Sequence, residues 1–506
     1  MHRRTLVLST WIIIILAAGY LRFTSLEERP IHTDEATGAR ILADRLETAE
    51  YEFNPKHFHG PLLSFLTVPL AQLKGETTWR NLSMGTIRLC PAIAGMLLVL
   101  TPLLWRRIMG DSGVLIVAAL LSSSPILVYY NRMYIHESWL VLFGMLGAAF
   151  AFRLFLIPNW KNAILCGISI GCMFATKETF VIAVFSWVLA LALCYTLTIT
   201  TKITPEDSKR PSFRKYLTSA CLVLLTILMT AAFFYSNGFR YPERIWDALQ
   251  TYLVYETTPG HDKAAGYYLN LLIWPKHLLG QWWTEGLVLL LAGFACLAAR
   301  RNNYQKTAIL YLSVATLVQF LVYSSISYKT PWLILLPWTH LCLLAGLCWQ
   351  AIPKTSRPAK VILGLVLICT IAFQLQQSVA TTQRWENDAR APYVYVPSSR
   401  NLIALESWMN QLTVEFPEIQ EQTVAVIGDA YWPLPWYLRT FDTIGYWEEP
   451  NPAMLQMPII FSMTSPSSDS DQPFNSTHTA FPQGLRHNVS MTLFVRNDIW
   501  KQWSDE

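Results

Sequence analysis

Four clusters of charged and polar residues lie beside apolar runs of this 506-residue sequence. Their members are His32, Asp34 and Glu35; Lys56, His57 and His59; Arg132, His136 and Glu137; and Lys177, Glu178, Tyr328 and Lys329. Ionisable residues at a membrane edge are costly to desolvate and are therefore candidates for function. A carboxylate can serve as the base for an acceptor hydroxyl, while cations stabilise a phosphate leaving group. Together the clusters predict transfer of a group from a phosphate to a hydroxyl.

The acidic members of these clusters also have structural alternatives. Asp34 stands where it could cap the helix that follows. Glu35 could form an ion pair with Arg40 or a neighbouring cation, and Arg132 could pair with Glu137, five residues further on. The sequence leaves these alternatives open.

The basic members have structural alternatives of their own. Lys177 and Lys329 could extend along helix ends towards the membrane surface. The histidines could be hydrogen-bonded loop residues, or, grouped on one face, they could bind a divalent metal. These histidines are His32, His57, His59 and His136. No cofactor is indicated with certainty.

The composition predicts an α-helical polytopic membrane protein. Hydrophobic residues make up 53% of the chain and charged residues only 14%, which is unusual for a soluble protein. Eleven apolar runs are long enough, or nearly so, to cross a hydrocarbon core about 30 Å thick. They are residues 5–21, 85–105, 113–130, 138–152, 162–176, 179–200, 216–236, 286–299, 307–327, 332–352 and 361–379. We therefore expect about 11 transmembrane helices.

The distribution of charge predicts how these helices are oriented. Lys and Arg concentrate in alternate connecting segments, whose only acidic residues are Asp111, Glu206 and Asp207. Cytoplasmic loops are rich in Lys and Arg, so the N-terminus is expected in the cytoplasm and the C-terminal segment outside it. The net charge of +5 reflects this sidedness and does not indicate nucleic acid binding.

The polar segments divide the chain into two predicted domains. Residues 1–379 form the transmembrane domain, with long external loops at 22–84 and 237–285. Residues 380–506 form a small extracytoplasmic α/β domain, in which 400–412 is predicted to be a helix and three segments to be strands. These strands are residues 423–429, 457–463 and 490–496. Residues 61–73 are expected to form an interfacial helix, and the Ser/Asp/Pro-rich segment 464–473 a mobile loop.

The order and sidedness of these motifs resemble the GT-C membrane glycosyltransferases, which include protein O-mannosyltransferases and the aminoarabinose transferase of lipid A. An archaeal and bacterial branch labelled "flippase activity-associated protein" is the most similar. The motifs that carry the resemblance are HGPLL, ATKET, TPGHDK, YKTPWLILLPW and YWPLPWYLR. The sequence departs from these relatives in two places. Residues 57–61 stand where relatives more often have His-Pro-Pro, and the segment after TPGHDK lacks the Pro-Trp pair that often follows there.

The resemblance implies an inverting transferase that takes a sugar from a polyprenyl-phosphate carrier. Carried onto this sequence, Asp34 is the general base, Glu35 supports it, and Glu137 is the second acidic residue of the site. The implied contacts to the donor phosphate are Lys56, Arg132, Lys177 and Lys329. The residues expected to line the cavity are His57, His59, Glu178 and Tyr328. The acceptor, which could be a glycan, a lipid or a protein, is not indicated.

Two other functions are compatible with the sequence. A transporter or flippase for lipid-linked saccharides would also contact such a lipid, but transporters usually place their charges near the membrane midplane. A non-catalytic accessory protein of a glycan pathway is the other alternative. The resemblance further implies a plasma (inner) membrane location.

Overall fold

The computed structural model describes residues 2–49, 53–200, 212–254, 260–298, 303–353, 355–463 and 474–505. Helices dominate the first three quarters of the chain. In order they are α1 (His2–Phe23), α2 (Thr33–Thr48), α3 (Leu62–Leu73), α4 (Met84–Leu100), α5 (Arg106–Ser123), α6 (Pro125–Tyr130), α7 (Glu137–Leu156), α8 (Trp160–Phe174), α9 (Phe180–Thr200), α10 (Phe213–Tyr235), α11 (Ile245–Val254), α12 (Tyr267–Leu272), α13 (Gly286–Ala298), α14 (Asn303–Ser325), α15 (Leu335–Gly346), α16 (Cys348–Ala351) and α17 (Arg357–Val379).

Every predicted apolar run coincides with helical structure. Within the described ranges, eight helical stretches are long and apolar enough to cross a membrane, while α3, α8 and a stretch within α13 are shorter apolar helices. One of the eight stretches is 40 residues long and contains both α4 and α5. Because α5 is interrupted at Gly110 (φ 62°) and packs against α4, this stretch corresponds to two predicted runs. The polytopic helical fold is thus confirmed, whereas the number of crossings stays a prediction.

The loop 22–84 contains two helices, α2 and α3. Residues 61–73 were expected to form a helix, and α3 occupies nearly the same range; its position at the membrane interface stays a prediction. In the second long loop, Lys276–Leu278 (β1) and Gln281–Trp283 (β2) form an antiparallel hairpin. Its two-residue turn, Leu279 and Gly280, has φ values of 55° and 78°, as tight hairpin turns require.

The C-terminal part of the chain builds a five-stranded mixed sheet. Its strands are β3 (Thr423–Ile427), β4 (Thr443–Trp447), β5 (Ile459–Ser462), β6 (His478–Arg486) and β7 (Val489–Arg496), with α18 (Asn401–Glu415), α19 (Glu418–Glu421), α20 (Leu434–Tyr437) and α21 (Asn497–Asp505). The order is β4-β3-β5-β7-β6, with β3 parallel to both neighbours and β7 antiparallel to both of its own.

The α/β fold of this region is confirmed. The three predicted strands correspond to β3, β5 and β7, and the predicted helix corresponds to α18. The predictions missed two strands, β4 and β6, which are the edges of the sheet. The predicted mobile loop 464–473 lies outside the described residues. The division of the chain at residue 380 and its sidedness stay predictions.

Candidate active site

The first cluster lies at the beginning of α2, where the backbone fixes Asp34 in the first helical turn. His32 precedes the helix, and its Nδ1 accepts a hydrogen bond from the Asp34 backbone N–H at 3.1 Å. His32, rather than Asp34, therefore caps α2. The Asp34 side chain is 50% exposed, and among the described residues nothing donates a hydrogen bond to its carboxylate. The nearest ionisable group paired with it is the His32 ring, whose Nδ1 lies 4.0 Å from the Asp34 Oδ1.

Glu35 points in the opposite direction and is completely buried. Arg88 of α4 binds both of its carboxylate oxygens at 2.8 Å, and Arg29 binds them at 3.2–3.3 Å. Burial alone would raise the pKa of Glu35, but Arg88 and Arg29 hold it well below its ordinary value. The alternative that Glu35 pairs with a neighbouring cation is therefore confirmed by Arg29, whereas Arg40 was the wrong partner, because it pairs with Asp44, one turn further along α2.

Two backbone N–H groups complete the shell around Glu35. They belong to His32, at 3.0 Å, and to Tyr134 of the second external loop, at 2.9 Å. This carboxylate therefore ties α2 to both α4 and the loop before α7. Its contacts position Asp34 and leave Glu35 without access to a substrate.

Arg132 is also buried, and it binds backbone carbonyls. Its guanidinium donates to Leu21 and Thr24 at 3.0 and 2.6 Å and to Ser25 at 3.1 Å. These carbonyls belong to the end of α1 and the segment that follows it. The alternative pairing of Arg132 with Glu137 was wrong, because Glu137 has a different partner.

That partner is Lys177, which precedes α9. The Lys177 Nζ lies 2.5 Å from the Glu137 Oε1, and both side chains are buried. Glu137 begins α7, where the positive end of the helix dipole also favours a negative charge. The two predicted site residues are thus brought together although they are 40 positions apart in the sequence.

The second cluster packs against the same segment. The Gly60 N–H donates to the Thr176 carbonyl at 3.1 Å and the Leu62 N–H to the Ala175 carbonyl at 2.9 Å. A Cβ at position 60 would lie 2.2 Å from the Ala175 carbonyl oxygen. Glycine is therefore required at this position of the HGPLL motif, because the two backbones approach so closely.

This contact places His59 beside Glu178 and His136. The His59 Nδ1 lies 3.0 Å from the Glu178 Oε2, and the ring centroids of His59 and His136 are 5.1 Å apart. Burial raises the pKa of Glu178, but His59 and then Lys177 lower it to about 2. Burial, and then the charges of His59 and Lys177, lower the pKa of His136 well below its ordinary value.

The segment before α15 pairs with part of the second long loop. Tyr328 and Asp262 form an antiparallel bridge. Two backbone hydrogen bonds, both 3.0 Å long, flank it: the Lys329 N–H donates to the His261 carbonyl, and the Lys263 N–H donates to the Ser327 carbonyl. The buried Lys329 Nζ donates to the carbonyls of Lys263 and Ile326. Lys329 thus stabilises this pairing.

Tyr328 connects the clusters. Its phenol interacts electrostatically with Lys177 and with the carboxylates of Asp34, Glu137 and Glu178. Burial and the three carboxylates raise the pKa of Tyr328, whereas Lys177 lowers it. Tyr328 thus interacts with charged groups from three other parts of the chain.

Aromatic residues form the wall between these groups. Trp332 lies with its ring centroid 6.2 Å from that of His32 and 5.5 Å from that of Tyr395. The Tyr395 hydroxyl in turn lies 2.5 Å from the His261 Nδ1. Burial, and then Tyr328 and Asp34, raise the pKa of Tyr395 to about 12, so the phenol keeps its proton.

The sequence did not single out Trp332, Tyr395 or His261 as site residues. Trp332 and His261 stand within the YKTPW and TPGHDK motifs, which provided a signal that could have found them. Tyr395 follows the transmembrane part of the chain, and no local pattern indicates that it returns to the site.

Lys56 and His57 lie on an exposed turn next to this site. The Lys56 N–H donates to the Asn54 side-chain oxygen at 3.0 Å. Across the part of the chain that the structure describes, no group of three His, Cys, Asp or Glu side chains is arranged to hold a metal ion. The divalent metal stays a hypothesis.

Comparison with known proteins gives a family match and a fold. The family model for dolichyl-phosphate-mannose-protein mannosyltransferases matches residues 51–240. No curated protein sequence matches the chain.

Solved structures of membrane transferases share the fold over almost the whole chain. ArnT from Cupriavidus metallidurans in the apo state has a TM-score of 0.64 at 15% identity, covering 96% of this chain and 98% of ArnT. ArnT bound to undecaprenyl phosphate gives 0.62 at 14% identity, with 95% and 98% covered. The archaeal oligosaccharyltransferase AglB from Archaeoglobus fulgidus, in complex with an inhibitory peptide and a dolichol-phosphate, gives 0.57 at 11% identity, with 98% and 77% covered.

These matches confirm the resemblance to GT-C glycosyltransferases and the GT-C fold. The narrower likeness to the branch labelled "flippase activity-associated protein" stays a prediction.

Proposed function

We propose that the protein transfers a sugar from a polyprenyl-phosphate carrier to an acceptor hydroxyl on the extracytoplasmic side of the membrane, with inversion at the sugar. The observation that carries this proposal is the open carboxylate of Asp34. Asp34 interacts electrostatically with Tyr328, and so does the buried pair of Lys177 and Glu137. In this proposal a base and a cation face one site.

In the proposed reaction the acceptor oxygen forms a bond to the anomeric carbon. The bond from that carbon to the phosphate oxygen breaks, and the polyprenyl phosphate leaves with the electron pair. Asp34 accepts the proton of the hydroxyl. No nucleotide takes part, since the carrier supplies the activated sugar.

The leaving phosphate needs positive charge near the lipid. Lys177 is a buried cation of the site whose side chain is held by a carboxylate, since its ammonium group lies 2.5 Å from Glu137. Lys56 lies on the neighbouring exposed turn, where a carrier headgroup could approach it. We assign these two lysines to the donor phosphate because preorganised cations stabilise the charge that develops there.

In this proposal the other predicted residues stabilise the segments that form the site. Glu35, Arg132 and Lys329 are buried and bound to arginines or carbonyl groups. We assign them to positioning the loops that carry Asp34 and Tyr328. We assign His59 and Glu178, which contact each other at 3.0 Å, to the side of the site next to Lys177, and the exposed His57 to its rim.

The proposal is tested with the full chain reconstituted in liposomes that contain radiolabelled undecaprenyl-phosphate sugars and a membrane extract as the acceptor pool. We expect the label to leave the polyprenyl phosphate and to appear in the acceptor fraction. Label that crosses the bilayer but stays on its carrier would establish the transporter alternative. If the label neither moves nor is cleaved with any sugar of the panel, the accessory alternative holds.

A further inference from the structure

A second cavity lies at the other end of the helix bundle, far from Asp34. It has a volume of ≈ 530 Å³ and is lined by the C-terminal end of α7, the N-terminal end of α8 and the connection between α4 and α5. Arg153, in the last turn of α7, lies 16 residues from Glu137, or about 24 Å along the axis at 1.5 Å per residue. The cavity is therefore separate from the candidate active site.

Two arginines line this cavity without an acidic partner. Arg107 and Arg153 are close enough for their charges to repel. Of the residues that the structure describes, none places a carboxylate within ion-pair distance of either guanidinium. The neighbouring Arg106, by contrast, pairs with Asp111 at 2.6 Å. Two adjacent positive charges of this kind favour an anion between them.

Trp105, one of the residues that line the cavity, carries a buried hydrogen-bond donor. The Trp105 side chain is 1% exposed, and its ring stacks on Phe152 with centroids 5.4 Å apart. Its indole N–H has no partner among the described residues. A buried donor without a partner is costly, so a ligand that accepts this hydrogen bond would be stabilised.

The rest of the wall includes the polar residues Asn159, Asn162 and Tyr304 and a set of apolar side chains. Ile108, Leu156 and Ile157 line the cavity, and Ile157 is 58% exposed. Trp160, which is 63% exposed, follows at the beginning of α8, a typical position for a tryptophan at the membrane surface. A ligand that fits both parts of the cavity has an anionic head and hydrocarbon chains.

We propose that this cavity binds the phosphate of an anionic phospholipid, with Arg107 and Arg153 on the phosphate, the Trp105 N–H as a further donor, and the acyl chains on the apolar wall. Basic pockets between transmembrane helices bind such headgroups in other membrane proteins. The positive-inside prediction places the cavity at the cytoplasmic leaflet, which carries anionic lipids. The inference does not depend on the transferase activity.

The test measures lipid binding to the detergent-solubilised full chain by native mass spectrometry. Dioleoylphosphatidylglycerol is the probe, and dioleoylphosphatidylcholine, which has the same chains but no net charge, is the comparison. We expect tighter binding of the anionic lipid. Each arginine contributes about a fivefold gain in affinity near a membrane surface, so Arg107→Gln with Arg153→Gln should lose about thirtyfold.

Arg106→Gln is the matched control, because Arg106 is adjacent but does not line the cavity. It should bind the anionic lipid like wild type. Equal losses in the control and the double variant, or equal binding of both lipids by wild type, would overturn the proposal. Glycerol 3-phosphate is also tested as a competitor of the anionic lipid. If it competes as strongly as the lipid itself, the site binds soluble phosphate esters instead, and the proposal is overturned.

Two milder variants serve if the double variant fails to fold. Arg107 is exposed, so Arg107→Gln should fold and lose about fivefold in lipid affinity. Trp105→Phe keeps an aromatic ring against Phe152 but removes the donor, and it should also weaken binding. Wild-type affinity in both variants would contradict the proposed contacts.

Discussion

The buried ion pair of Lys177 and Glu137 combines a structural and a functional role. Lys177→Met leaves the Glu137 charge buried without this partner, which typically costs about 3–5 kcal/mol. Adding Glu137→Gln removes that charge, so the double variant should recover much of the stability. It should not recover donor binding, because the cation for the phosphate is still missing. Thermal unfolding and binding of a labelled polyprenyl-phosphate sugar measure the two effects separately.

The exposed residue Lys161 provides the control for this experiment. Lys161→Met should leave both stability and donor binding close to wild type. If the Lys177→Met, Glu137→Gln double variant binds donor as well as wild type, the pair is only a structural contact.

The neutral state of His136 predicts a pH dependence of stability. Burial, and then His59 and Lys177, lower its pKa in the folded protein, whereas in the unfolded chain it titrates near 6.5. Below that pH the unfolded state binds more protons than the folded state. The stability present above pH 6.5 is therefore lost as the pH falls.

Thermal unfolding between pH 8 and pH 5 tests this prediction. His136→Gln should flatten the pH profile relative to wild type. His277→Gln, on the exposed hairpin, should keep the wild-type slope. Identical slopes for wild type and His136→Gln would show that another group carries the effect.

Among the elements, the backbone contact between the first external loop and the start of the α9 region depends on Gly60. Gly60→Ala would place a methyl group 2.2 Å from the Ala175 carbonyl oxygen, so the two segments must separate. Overpacking of this kind typically costs about 1–3 kcal/mol. The loss of contact should also move His59 away from Glu178 and lower the transfer rate.

Gly266→Ala is the control, because a Cβ there has no atom within 4 Å. Both variants can be compared by thermal unfolding and by transfer activity. A Gly60→Ala protein as stable and active as the Gly266→Ala protein would refute the close approach.

The helices could be predicted from the sequence, because hydropathy is a local property that each apolar run carries by itself. The two missed strands show where local patterns fail. β6 contains Pro482 and Gly484, which disfavour strands, but Pro is tolerated on an edge strand, and β6 is an edge. The other edge, β4, is short and mostly exposed or half-buried, so it lacks a buried apolar run.

The candidate site could be predicted only as a set of residue types. The clusters with Asp34, Glu137 and Lys177 were recognised because charges beside apolar runs are conspicuous. Their partners were not, since the binding of Arg88 to Glu35 and the return of Tyr395 join residues distant in the chain. No spacing rule relates such residues, so only the folded molecule shows them.

For the whole molecule, the C-terminal region contributes directly to the placement of Asp34. The Ile31 N–H donates to the Tyr437 hydroxyl at 3.1 Å, and the Ser398 hydroxyl donates to the Ile31 carbonyl at 2.6 Å. Ile31 is three residues before Asp34. We therefore infer that the C-terminal region holds the segment before Asp34 in position.

Tyr437→Phe tests this inference. It removes one acceptor from a buried backbone N–H, which typically costs about 1–3 kcal/mol, and it should lower the transfer rate while the protein still folds. Tyr446→Phe, on the exposed surface of β4, should have no effect on the rate. If the two variants transfer sugar equally well, the contact is not needed to place Asp34.

The central claim is that the open carboxylate of Asp34 is the base of a sugar transfer. The most direct measurement is the single-turnover rate of transfer from a labelled undecaprenyl-phosphate sugar by wild type, Asp34→Asn and Asp44→Asn. Asp44 lies on the same helix, is similarly exposed and pairs with Arg40 at 2.9 Å. We predict that Asp34→Asn is at least about 100-fold slower and that Asp44→Asn keeps the wild-type rate. Full activity of Asp34→Asn would contradict the account.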